Sequence, residues 1–240
     1  MNSLRTALSF LTVLPVGAGR APAEGLGRAW YPAVGLLLGL VAAGAFRLGA
    51  ALTTPVLGAV AAVAVLAGLT GALHLDGLAD AADGLLGGAT RERRLEIMRD
   101  PRVGSFGVVA TALVLLGDVA ALSGLSPWTA LAALLTACAL GRLAMVAVLL
   151  WLPYARQGGL GTAAVGGRSL PDLAGALVAG AVPLALDWRH WLLAAGLVAA
   201  SAAGAGALAR SRVGGATGDV YGAVVEVGQL AALTAFAVRL

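Results

Sequence analysis

Seven stretches of this chain are apolar for long enough to reach across a hydrocarbon layer, beginning near Tyr31, Pro55, Phe106, Trp128, Leu173, Trp191 and Tyr221. A bilayer core of ~30 Å takes about 20 helical residues at 1.5 Å each, and backbone in lipid must satisfy its own hydrogen bonds. The expected fold is therefore all-α: a single membrane-embedded domain over residues 1–240, a polytopic helical bundle of about seven transmembrane helices. Composition agrees, since charged residues make up 12% of the chain and mean hydropathy is +0.92, whereas a soluble domain is about a quarter charged. Two stretches are the weakest. The one over 173–187 is short and holds Pro183, and the last carries Glu226 and Gln229.

The first residues need a separate reading. Arg5 followed by ALSFLTVLPV and then APA has the outline of a secretory signal. Pro15 interrupts that short apolar run, however, and Arg5, Ser9 and Thr12 recur at i, i+4 and i+7 as one polar stripe. An amphipathic helix at the interface, or tucked against the bundle, fits better.

Arginine placement orients the spans, because short basic loops stay in the cytoplasm. All 16 basic residues are Arg. Arg5, Arg20 and Arg28 precede the first span, and Arg91, Arg93, Arg94, Arg99 and Arg102 follow the second. Arg156 and Arg168 follow the fourth, and Arg210 and Arg212 the sixth, all on one side of a seven-span chain. The opposite loops TTP, SGLSP and LDWRH hold one Arg between them, with Arg239 at the far end. A net charge of +4 and a pI near 10.2 suit anionic headgroups. No basic array with interleaved aromatics is present, which excludes nucleic acid as a partner. The single Cys138 lies within an apolar span, so neither an intrachain disulfide nor a thiolate metal site is available.

Against this background HLDGLADAADG, residues 74–84, is unexpected, since it follows the uncharged AVAAVAVLAGLTGAL. Spacings of four and three put Asp76, Asp80 and Asp83 on one helical face, with neighbours about 5–6 Å apart at Cβ. Carboxylates that close either take up protons or share a cation, and an all-oxygen set favours a hard ion such as Mg2+ or Mn2+ over zinc. Gly77 and Gly84 follow the outer aspartates, and glycine costs about 1 kcal/mol inside a helix, so backbone is expected to come close to something bulky there. A turn-rich solvated loop is the plain alternative. His74 could cap, anchor, bind metal or relay a proton.

The next segment, TRERRLEIMRDPRVGSFG, has five arginines within twelve residues, and guanidinium binds phosphate oxygens directionally. A metal face followed by arginines suggests a pyrophosphate. Arg91, Arg93 and Arg94 also serve topology, whereas Arg99 and Arg102, flanking Asp100 and Pro101 and preceding Gly104, are better placed for substrate. Late in the chain, Asp219 and Glu226 are seven apart and share a face with Gly222. A membrane-embedded Glu226 needs a partner, either Arg142 or a metal, and Asp118 could equally pair with Arg142.

HLDGLADAADG, RRLEIMRDPRVGSFG, YARQGGLG and GATGDVYGAVVEVGQL, in that order, resemble the blocks of the cobalamin synthase family, membrane enzymes also called adenosylcobinamide-GDP ribazoletransferases. The resemblance runs nearly end to end. Near the N-terminus this chain has Val13 where the family often carries an Arg.

The resemblance implies a multi-pass protein of the plasma or inner membrane with its active site, about 74–104, facing the cytoplasm. It implies that adenosylcobinamide-GDP and alpha-ribazole, or its 5'-phosphate, are joined to give adenosylcobalamin or its 5'-phosphate, with GMP released and Mg2+ required. On that reading the metal ligands are Asp76, Asp80, Asp83 and Glu226, and the catalytic residues are Asp83 as base, His74, Arg99 and Arg102. Gly77, Gly84, Arg94, Asp100, Gly104 and Asp219 are the substrate contacts.

Two rivals are a CDP-alcohol phosphotransferase and an ion-coupled transporter. The first usually places Ala-Arg soon after its second aspartate, whereas Asp80 is followed by Ala81, Ala82 and Asp83. The second expects carboxylates at mid-bilayer in inverted repeats. Small-residue patterns such as GALVAGA and SAAGAGA permit close packing within a chain or in a homo-oligomer.

Overall fold

Caps written into the sequence start most of the helices. Thr54, Ser126, Ser169, Asp187 and Thr217 each accept a backbone N–H three residues on, from Leu57, Thr129, Asp172, His190 and Val220. Each satisfies a first-turn donor that hydrocarbon would leave unpaired. Pro55, Pro127 and Pro171 follow three of these caps, in the first turn, where a missing N–H costs nothing.

The structure is a computed structural model describing residues 2–16, 24–156 and 169–239. Its helices are α1 (Asn2–Leu11), α2 (Tyr31–Leu52), α3 (Pro55–Thr70), α4 (Leu73–Gly87), α5 (Arg91–Ile97) and α6 (Ser105–Ser123). They continue with α7 (Pro127–Trp151), α8 (Leu170–Ala181), α9 (Trp188–Val213) and α10 (Gly218–Ala237), with 3-10 turns at Glu24–Trp30 and Val182–Ala185. Arg20 and Arg168 lie outside the described residues.

Of the seven expected spans, five helices are individually long and apolar enough to cross a membrane: α2 with the turn before it, α6, α7, α9 and α10. A sixth is the pair α3 and α4, bent by 89° at its junction. The bend comes from two successive left-handed residues, Gly71 (φ 59°) and Ala72 (φ 56°). For Ala72 that conformation costs roughly 1–2 kcal/mol. The Val13 backbone N–H bonds the freed Leu69 carbonyl at 2.9 Å and helps seal the break. The weakest stretch is shorter and broken: the 12 residues of α8 run into the Val182–Ala185 3-10 turn, which contains Pro183, and together they are shorter than the other spans.

The α7 and α10 helices are the central staves, buried over 78% and 72% of their most apolar stretch, against 28–33% for the other three long spans. α1 is tucked against the bundle: Ala7 and Leu11 are fully buried while Arg5 and Ser9 face out. Thr12 leaves the expected polar stripe, is buried, and bonds the Leu8 carbonyl instead. A half-buried ion pair, Arg28 Nε to Asp172 Oδ2 at 2.8 Å, ties the segment before α2 to α8.

The tightest crossings are not at the small-residue runs of α9, where Gly196 and Gly204 face open space. They occur along α2, where a Cβ on Gly35 would meet the Cys138 carbonyl and one on Gly39 would lie 2.6 Å from the Leu134 carbonyl oxygen; the Gly77–Gly222 crossing of α4 and α10 is also close. A Cβ on Gly222 would lie 2.9 Å from the His74 carbonyl oxygen and 3.1 Å from Gly77 Cα. Both neighbours are backbone and cannot step aside. Gly222→Val is accordingly expected to destabilise the bundle by about 1–3 kcal/mol, read as a lower Tm in detergent; an unchanged Tm would show that the crossing is loose.

Candidate active site

The three aspartates of α4 have three different surroundings. Asp83 is buried, and its carboxylate caps α6: the N–H groups of Gly104 and Gly107 donate to its two oxygens at 2.7 and 2.9 Å. α6 has no side-chain cap of its own, because Gly104 stands at that position. A Cβ on Gly104 or on Gly107 would lie 2.5 Å from a carboxylate oxygen of Asp83. The charge-assisted cap therefore explains Gly104 and Gly107 together, and it occupies the aspartate expected to be the base.

Asp76 is exposed and Asp80 half-buried. Both lie within electrostatic reach of Asp219, in the first turn of α10, which the Gly77 crossing brings against α4. Thr217 Oγ1 donates to Asp219 Oδ2 at 3.2 Å, and Arg156 Nη2 approaches the same oxygen at 2.7 Å, both partners of that ion pair being largely buried. Arg156 reaches this position because its segment pairs with the turn before α10. The Ala155 N–H bonds the Ala216 carbonyl at 2.8 Å, the Ala216 N–H bonds the Pro153 carbonyl at 2.9 Å, and Tyr154 stacks on Tyr221. Burial raises the Tyr154 phenol above its ordinary pKa, so at neutral pH it remains a neutral donor.

The other wall is basic. Arg91, Arg99 and Arg156 line a cavity of about 360 Å³ with Glu92 and Glu96. Arg91 is fixed there, its Nε donating to the Val213 carbonyl (2.9 Å) and its Nη2 to that of Ala155 (3.0 Å).

The remaining expected residues sit apart from this cleft. Arg102 is 86% exposed and closes a bidentate pair on Asp100, 2.9 and 2.7 Å, which pulls that carboxyl down to about 2. Arg94 is buried, folded over Gly88. Gly84 makes room for α5, since a Cβ there would lie 2.8 Å from the Arg94 carbonyl oxygen. His74 is buried with neither ring nitrogen bonded.

Glu226 lies deeper, in a second polar cluster with Asp118, Arg142 and Gln229 around a void of about 20 Å³. Arg142 Nη1 donates to the Cys138 carbonyl and to Gln229 Oε1, both at 3.0 Å, and Gln229 Nε2 donates to Glu226 at 3.4 Å. The expected Arg142–Glu226 partnership is thus relayed through an amide. Sequence reasoning used Arg156 only for topology and passed over Tyr154; the signal available was their place in the YARQGGLG block.

Carboxylates and arginines converge on one another in an all-α polytopic bundle, and this defines the class: a multi-pass membrane protein with a charged cleft. The chain belongs to the cobalamin-5-phosphate synthase family, whose family model matches residues 3–237. It is 41% identical to the adenosylcobinamide-GDP ribazoletransferase of Bradyrhizobium diazoefficiens over 237 residues, covering 96% of this chain and 91% of that protein. It is similar also to the protein of the same name from Ectopseudomonas mendocina, 43% identical over 247 aligned positions and the full length of both. The Pseudomonas paraeruginosa protein of that name is 42% identical, covering 99% of this chain and 98% of its own. No solved structure matches.

Proposed function

We propose that this chain is an adenosylcobinamide-GDP ribazoletransferase that joins adenosylcobinamide-GDP to alpha-ribazole, or to its 5'-phosphate, and releases GMP. The observation that carries the reading is Arg156, which lines the cavity of Arg91 and Arg99 and pairs with Asp219, the carboxylate within electrostatic reach of Asp76 and Asp80. The relatives' shared name supplies the substrate, and the arginine bias of the loops supports a cytoplasmic opening.

Mg2+ fits the donor chemistry. Among the described residues no three His, Cys, Asp or Glu side chains close around an ion by themselves, but Mg2+ usually takes one or two carboxylates plus substrate phosphates and keeps several waters. Asp76 and Asp219 are the ligands this arrangement offers. Asp83, committed to α6, and Glu226, in the deeper cluster, do not share that position. When bound, the ion neutralises charge on the diphosphate.

The chain's own groups do the rest. Asp80, within electrostatic reach of both Asp76 and Asp219, takes the proton of the ribazole hydroxyl as the hydroxyl oxygen bonds to the phosphorus carrying the cobinamide arm. The bridging P–O bond then breaks and GMP leaves. Arg99 and Arg91 stabilise charge on that leaving group, and Tyr154 is a neutral donor on the same wall. Such transfer depends on positioning and electrostatics.

In detergent with both substrates, GMP release is expected to need Mg2+, to stop in EDTA, and to fall about 100-fold or more in Asp80→Asn at unchanged Tm. Release untouched by that substitution would move the base elsewhere, and no release by the wild type would refute the transferase reading.

A further inference from the structure

We propose that Arg156 is a counter-ion shared between the carboxylates and the substrate: it competes with a divalent cation for one oxygen of Asp219, and a bound phosphate draws it off. The inference rests on the metal-assisted reading above and gives a role to Arg156, to which that reading assigns no step.

The geometry of Asp219 is the starting point. Its Oδ2 already receives Thr217 Oγ1 at 3.2 Å and Arg156 Nη2 at 2.7 Å. A cation taking that oxygen must share it with a guanidinium whose side chain is only 12% exposed. Arg156 also lies within electrostatic reach of Asp80, so it acts on the acidic cluster as a whole. Formally, Asp76, Asp80 and Asp219 with Arg156 carry two negative charges, and without Arg156 they carry three.

The same side chain forms part of the arginine cavity, so turning it from carboxylate to phosphate requires no movement of the fold. The backbone just before it is held by the Ala155–Ala216 and Ala216–Pro153 hydrogen bonds. Two other arginines are held elsewhere: Arg91, in the same cavity, is anchored by two backbone carbonyls, and Arg102, outside it, is paired at the surface with Asp100. Arg156 alone of these three is held by a side chain of the proposed metal site. A guanidinium that leaves a single carboxylate oxygen for a phosphate exchanges one anionic partner for another that its fork can grip at two oxygens, and the vacated oxygen becomes available to the cation. Metal and phosphate would then favour each other's binding, as linkage through a shared group requires.

The test separates two affinities that a merely structural arginine would weaken together. The full chain in detergent is titrated with Mn2+ alone, read by the electron paramagnetic resonance signal of the free ion, and then with GMP at saturating Mn2+. Compared with wild type, Arg156→Gln is expected to bind Mn2+ about fivefold tighter and GMP about tenfold more weakly. Arg156→Lys, which keeps the charge but not the fork, should fall between them, and it carries the test if Arg156→Gln melts early. Mn2+ affinity unchanged or reduced in a variant that melts like wild type would overturn the proposal. Absence of Mn2+ binding in every form would overturn it together with the metal reading. The opposed shifts in a wild type that released no GMP from its substrates would leave this proposal standing and sink the transferase assignment instead.

Discussion

Asp83→Ala is expected to abolish activity and to lower stability by about 2–4 kcal/mol at once, because it strips the first turn of α6 of both its acceptors. The Gly104 and Gly107 N–H groups bond nothing but that carboxylate at 2.7 and 2.9 Å, and an orphaned buried donor costs about 1–3 kcal/mol. Asp83→Asn keeps one acceptor and turns an NH2 toward the other donor, so it should lie between wild type and Asp83→Ala. Thermal melts in detergent beside GMP release make the check. A free catalytic base would lose rate without losing Tm, whereas a cap loses both in step; an Asp83→Asn protein that melts normally but is inactive would return Asp83 to the chemistry.

The second large effect is expected deeper in the bundle. Arg142→Leu should prevent recovery of folded protein or cost about 3–5 kcal/mol, the usual penalty for removing one partner of a buried charged network. Arg142 is 1% exposed, in the same cluster as Asp118 and Glu226; among the described residues no other cation lines that void, and without Arg142 Glu226 is left with the neutral Gln229 amide. Adding Asp118→Asn and Glu226→Gln to Arg142→Leu should recover much of the loss, since neutral groups tolerate the interior. A triple variant no better than the single one would show that the cost is lost packing instead of stranded charge.

The architecture was legible because hydrocarbon imposes a length and a polarity on every span. The exception was 173–187, where Pro183 and brevity already argued for a broken element, and the chain there forms α8 and a 3-10 turn. Aspartates on one helical face were legible too, through period alone. The use made of each was not. Asp83 shares its face with Asp76 and Asp80, yet its oxygens are claimed by a helix that begins 22 residues later, at Ser105. No periodicity within 74–84 encodes that long-range contact. Arg156 was hidden for a similar reason: its pairing with Asp219 depends on a short backbone bridge between Tyr154 and Ala216, two segments without strand-like patterning. Asp219 and Glu226 fall on one side of α10, but two helical turns separate the cleft from the interior cluster, and spacing alone does not register depth.

The Gly77–Gly222 crossing also sets a schedule for biogenesis. α4 leaves the ribosome early, but the surface its glycine needs is supplied by α10, which is made after every other described helix. Until that segment enters the membrane, Asp76 and Asp80 have neither Asp219 nor the anchored Arg156 beside them. On the proposed site, a nascent chain that has already threaded most of its length into the bilayer would still lack Asp219 of its acidic cluster, which the last described helix completes in one step.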